Sequence, residues 1–173
     1  NDWADIIYTA RERQRPMFTR KGNSQTVTTR IDSLYFKETV EDNTTGIARV
    51  TINASSHADE MMDGIFFTLF LNDEDYTGGS CKAGSLKAVK LSEPESELNQ
   101  YLSIKAKVFH FYSDKRQLEL IFPEATSLLV RRRTSKDSKG LQVFVPVKKG
   151  NMNSGDSGSK NFEIKVSGMI NKT

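Results

Sequence analysis

Two histidines, one cysteine and a scatter of carboxylates are the residues from which proton transfer, metal binding or nucleophilic attack would have to be built. Their spacing singles out none of these chemistries. His57 lies in a Ser/Asp-rich segment, and His110 stands between Phe109 and Phe111. A zinc site would have to gather these histidines with Cys81 and carboxylates from distant segments, without the short ligand spacings that such sites show. Cys81 becomes a nucleophile only if the fold brings a histidine beside it, and an inert thiol in a turn is the simpler reading. Glu93, Glu95 and Glu97 alternate around Pro94, which describes a solvated loop better than a general acid and base. No cofactor is implied.

Two partial motifs fail at a decisive position. Gly79 and Gly84 have the glycine spacing of a phosphate loop, but Ser85 stands where the phosphate-binding lysine belongs, and no helix pattern follows. Asp73, Asp75, Thr77 and Gly78 copy the first half of a calcium-binding loop, yet Gly84 replaces the bidentate glutamate at its twelfth position. No metal is expected, and Asp73 and Asp75 are the weak candidates for one.

The strongest local feature is cationic. Arg131, Arg132, Arg133, Lys136 and Lys139 fall within nine residues, in a stretch that reads as a hairpin tip. Such crowding costs self-repulsion, which a phosphate backbone, an anionic polysaccharide or an acidic patch on a partner would relieve. Cations also protect exposed strand edges, a structural reading of equal weight. Arg11, Arg13 and Arg15 make a second basic arm. Between the two, residues 22–130 hold ten cations against sixteen anions, whereas residues 131–160 hold eight against two. This division suggests contact with a polyanion or between copies of the chain. Phe109, Phe111 and Tyr112 could stack on single-stranded nucleic acid, but alternating aromatics more often fill the space between sheets.

Helical spacing occurs once, at the start: Asp2 can cap a turn, and Trp3, Ile6, Ile7 and Ala10 follow at helical intervals. Trp3, Ile6 and Ile7 are candidate anchors for assembly. Residues 11–24 read as a basic connector, because Pro16 biases Arg15 away from helical geometry. From residue 25 the hydrophobic period is two. About nine strands are expected, near 25–36, 46–54, 64–71, 85–91, 101–112, 117–122, 127–133, 141–147 and 162–170. Val50, Ile52, Phe67, Leu69, Ile104, Val108, Leu120 and Ile164 are the expected core. Pro146 marks an edge strand or a bulge. Residues 149–161 read as a flexible loop with nothing to bury.

With 173 residues, 36% of them hydrophobic, the chain can fill one core, and no apolar run approaches the roughly 18–20 residues of a membrane-spanning helix. One cysteine cannot close an internal disulfide. The expected architecture is all-β: an antiparallel β-sandwich over residues 25–173, with residues 1–24 supplying a short N-terminal helix and the connector. The function expected from these residues is a non-catalytic structural, assembly or adhesion subunit of a cell surface, appendage or viral particle. Its partners would be another protein or copies of itself, and an extracytoplasmic or virion setting is favoured. The alternative is a nucleic-acid-binding protein that uses the basic arm and basic hairpin. A third reading is a hydrolase acting on a saccharide or peptide.

Overall fold

The computed structural model describes residues 7, 9, 14–43, 46–76, 78–91, 104–135 and 138–168. The helix expected at the N-terminus lies outside these residues, as do Trp3, Ile6, Arg11 and Arg13.

The described chain is almost entirely antiparallel sheet, as the period of two requires. In order it forms β1 (Met17–Lys21), β2 (Ser24–Ile31), β3 (Leu34–Asn43), β4 (Ile47–Ser56), β5 (Gly64–Asn72), the one-turn helix α1 (Asp73–Tyr76), β6 (Ser80–Ala83) and β7 (Val89–Lys90). Then follow β8 (Ile104–Tyr112), β9 (Arg116–Ser135), β10 (Ser138–Lys149) and β11 (Ser157–Gly168). Nine of the eleven strands run side by side as β1-β2-β3-β4-β11-β9-β8-β6-β7, the large sheet. β10 pairs with β5 on one side and with the far half of β9 on the other, making a small second sheet.

Several strand boundaries differ from those expected. Residues 25–36 are two strands, because Asp32 takes a left-handed backbone (φ 52°) and closes a two-residue turn from Ile31 to Leu34. Aspartate tolerates that conformation, so no glycine advertises the turn. Part of the connector is strand: Gly22 and Asn23 turn β1 back onto β2, pairing Lys21 with Ser24. The two strands expected at 117–122 and 127–133 are one bent strand, β9, which passes from the large sheet to the small one. Of the strand expected at 85–91 only Val89–Lys90 is strand, β7, which pairs with β6.

Residues 149–161 are not a free loop. Met152 is fully buried and bridges Glu60, Ser154 N donates to Asp59 Oδ1 at 2.9 Å, and β11 has already begun at Ser157. A low-complexity stretch can carry one well-placed apolar anchor, and the composition of its neighbours hides it. Pro146 does mark a bulge, since the pairing of β10 with β5 slips between Pro146 and Lys148.

Alternation decides which face of the large sheet is dry. Val50 and Ile52 of β4, Phe109 and Phe111 of β8, Leu118 and Leu120 of β9 and Phe162 of β11 face inward and are buried. Leu71 of β5 and Leu141, Val143 and Val145 of β10 meet them from the small sheet. Burying each such side chain contributes about 1.5–3 kcal/mol, the main source of stability here. Phe67, Leu69 and Ile164 pack against this core while partly exposed. Val108 does not join it: the register slip between Ala106 and Val108 reverses the alternation and turns Val108 to the opposite face. The Ile104 side chain is outside the described residues.

Candidate functional site

The outward face of the large sheet is mostly polar, and its central strands collect titratable groups. The β8–β9 hairpin is set by a tight turn in which Ser113 N donates to Arg116 O (3.0 Å), while Ser113 Oγ accepts from the backbone of Lys115 (3.2 Å) and Arg116 (3.0 Å). That turn places Tyr112 opposite Gln117 and His110 opposite Glu119. β11 adds Lys165 on the other side of Glu119, and β6 adds Lys82 on the other side of His110. One row across four adjacent strands therefore reads Lys165, Glu119, His110, Lys82.

Within the row, Gln117 organises the protons. A carboxylate only accepts, so the Gln117 amide turns its Nε2 toward Glu119 Oε1, donating at 2.7 Å. The same Nε2 lies 3.4 Å from His110 Nδ1, and since it can only donate, Nδ1 accepts. The neutral imidazole then carries its hydrogen on Nε2. His110 Nδ1 is 3.9 Å from Glu119 Oε1, and Lys165 Nζ is 4.0 Å from Oε2. The Tyr112 ring stacks on His110, with centroids 5.6 Å apart and planes 10° apart, which restricts the imidazole. The Glu119 side chain is only 16% exposed and that of His110 23%, so the pair sits recessed in an otherwise open face. Chemically this is a carboxylate that can take a proton beside an imidazole N–H that can stabilise developing negative charge.

None of these site residues was singled out in the sequence for this role. The signal that was present is the alternation His110, Tyr112 and Gln117, Glu119 on either side of a Ser-Asp-Lys-Arg turn; Lys82 and Lys165 come from strands that only the completed sheet brings close. The thiol is no part of the site: Cys81 faces the core at 3% exposure, and burial pushes it up to about 12. His57 instead packs edge-on against Tyr35, with ring centroids 5.5 Å apart.

The residues named from the sequence are dispersed. Arg131, Arg132 and Arg133 lie on β9, opposite Gln142, Leu141 and Gly140 of β10, and Lys139 lies opposite Thr134. They belong to the small sheet's hairpin rather than the outer face, and Lys136 is outside the described residues. Arg15 is exposed with φ 45°, and Ile7 is 48% exposed. Asp75 pairs with Lys115 and with Arg116, each at 3.7 Å, so cations of the protein already occupy its carboxylate. The Asp73 side chain is not among those described. No group of three metal-ligating side chains occurs among the described residues. No helix among them is long and apolar enough to cross a membrane.

No protein-family model matches the sequence, and no curated protein is similar to it at a significant level. The fold does have solved counterparts. The chain is similar to a GalM/aldose epimerase homologue from C. elegans, with a TM-score of 0.58 at 10% identity, over 90% of this chain and 69% of that one. A heparinase III gives a TM-score of 0.46 at 12% identity, over 88% of this chain and 20% of that one. The likeness to the epimerase homologue defines the class of fold. It also corrects the expectation of a structural, assembly or adhesion subunit: a counterpart of this fold over 90% of the chain is a GalM/aldose epimerase homologue. β-rich patterning does not separate a subunit fold from an enzyme fold, and the His–Glu pair is brought together only by strand register.

Proposed function

We propose that this chain acts on a saccharide held against the outer face of the large sheet. Glu119 takes a proton from a sugar hydroxyl, and the Nε2–H of His110 donates a hydrogen bond to the oxygen on which negative charge develops. Gln117 holds both groups in the required states, Lys165 keeps the charge of Glu119 compensated, and the sugar ring packs beside Tyr112. The observation that carries this reading is the row Lys165, Glu119, His110, Lys82, recessed in the centre of an exposed sheet. A fold similar to that of an aldose epimerase homologue supports it.

The test is a panel of aldoses and oligosaccharides followed by proton NMR for anomeric exchange, epimerisation and cleavage. Glu119→Gln should lower the rate about 10²–10⁴-fold, and His110→Gln about 10²–10³-fold, with melting temperatures near that of the wild type. If no saccharide in the panel turns over, or if Glu119→Gln is as active as the wild type, the reading is wrong.

A further inference from the structure

The outer face extends well beyond the Glu119 pair, and its composition changes along the way. From the Lys165 position of β11, eight residues along the strand lead to Ser157, which lies opposite Ser55 of β4 and, one strand further, Tyr35 of β3. At about 3.4 Å per residue and 4.8 Å per strand, Tyr35 stands about 30 Å from Glu119. A single sugar cannot touch both.

Next to Glu119 the face carries the charged row Glu163, Arg49 and Glu41, in which Arg49 stands between the two carboxylates; from there to Tyr35 the surface is lined mainly by neutral hydrogen-bonding groups. Thr39, Thr51 and Asn161 lie in one row across β3, β4 and β11, and Asn53 and Ser159 in the next. At the far end Tyr35 is 46% exposed. Its ring is steadied by His57 edge-on and by the Arg30 guanidinium 5.5 Å from its centroid. A half-exposed aromatic ring suits the apolar face of a sugar ring.

Charge on the face is not balanced. Arg49 is paired with Glu163 at 3.5 Å and Lys165 with Glu119 at 4.0 Å. Among the described residues, Lys37, Lys82 and Lys90, which point to the same face, meet no carboxylate within ion-pair distance. Lys37 stands opposite Asn53 on the path to Tyr35, and Lys82 stands opposite His110 at the recessed pair. Unpaired cations at both ends of a hydroxyl- and amide-lined track call for negative charge repeated along the ligand.

We infer that the outer face takes an extended anionic oligosaccharide, with its reacting residue at Glu119 and His110, its substituents against Lys82 and Lys37, and a distal sugar on Tyr35. This rests on the saccharide reading of the Glu119 site and names the substrate class of that site. The carboxylate of a uronic acid and a sulfate ester share the required chemistry.

Binding to the full chain is measured by calorimetry at low and moderate salt. The probes are a hexagalacturonate, a digalacturonate, a sulfated hexasaccharide, a neutral cello-hexaose and a single-stranded oligonucleotide. The hexagalacturonate or the sulfated hexasaccharide should bind at least tenfold more tightly than both the neutral hexamer and the dimer, and binding should weaken as salt rises. Which of the two anionic hexamers binds more tightly tells carboxylate from sulfate. Tyr35→Ala and Lys37→Ala should each weaken the preferred hexamer about tenfold while leaving the melting temperature unchanged. Equal affinity for neutral and anionic hexamers, equal affinity for dimer and hexamer, no effect of Tyr35→Ala, or tighter binding of the oligonucleotide overturns the inference. Turnover of the bound hexamer by the wild type separates this from the catalytic reading: binding with no turnover removes the proposed reaction and leaves the ligand class standing. Turnover confined to neutral monosaccharides does the reverse.

Discussion

At the level of single residues, the informative departures are polar groups placed where alternation turns them inward. Glu38 lies directly between Val27 and Ile52, on the core-facing side of the large sheet. Burial holds its carboxyl above the usual carboxylate range. The sign follows: a carboxyl that ionises less readily when folded adds no penalty while protonated in both states. It destabilises increasingly as pH rises past its unfolded value and through its folded one. Glu38→Gln should therefore raise the melting temperature by about 2 °C at pH 7 and make no difference at pH 3, measured by calorimetry. A lower melting temperature at pH 7 would show that the carboxylate has a favourable role. Cys81 gives a second check. With its thiol buried and its ionisation pushed up to about 12, it should react with a thiol reagent at pH 8 only after denaturant is added. Modification of the native protein at the rate of a free thiol would contradict its placement. In the sequence, the alternation expected to bury Ile104 and Val108 would turn His110 and Tyr112 inward with them; the slip between Ala106 and Val108 reverses it, so the outward His110 was not legible. Nor were the neighbours of the pair, because Glu119 meets Lys165 across a gap of 46 sequence positions that only strand pairing closes.

Among the elements, β9 shows best where local reading stops. Its alternation breaks near Pro123, which looks like the end of one strand and the start of another. In fact the chain bends there, pairing with β8 through Ile121 and again through Thr126. The bend is braced from β11: Lys160 Nζ donates to Thr126 Oγ1 at 2.7 Å and lies 5.4 Å from the centre of the Phe122 ring. A lysine that faces inward at a bend is invisible to a rule that sorts residues by polarity alone. Pro146 could be read correctly because a proline disturbs a ladder wherever it falls. Gly79, noted in the sequence only for its spacing from Gly84, is needed for a different reason. A Cβ on Gly79 would run into the backbone oxygen of Tyr112, so the α1–β6 connection can approach β8 only without one. Gly79→Ala should destabilise the protein by about 1–3 kcal/mol, read from the urea midpoint. An unchanged midpoint would mean that the backbone there yields freely.

For the whole molecule, the sandwich itself followed from the period of two, whereas the order of strands within it did not. β11 pairs with β4 and β9, and β10 with β5 and β9, contacts that join segments far apart in sequence. Nothing local specifies them beyond the apolar stripes that must be covered. Leu120 sits where these long-range pairings converge, fully buried on β9 between β11 and β8. Leu120→Ala should cost about 2–5 kcal/mol. In a domain of this size that lowers the melting temperature by about 2–4 °C per kcal/mol. A loss smaller than 1 °C would place Leu120 outside the true core.

The position of β11 between β4 and β9 has a consequence for synthesis. The meander β1 to β4 emerges from the ribosome early, yet the strand that must cover its open side is the last of the eleven to appear. At translation speeds of about 5–20 residues per second, the hundred or so residues between them take roughly 5–20 s. Throughout that interval β4 presents a bare edge, with Val50 and Ile52 uncovered, to any other unfinished chain. Nascent chains arrested before residue 157 should accordingly be held by chaperones, and release should coincide with the arrival of Ser157–Gly168.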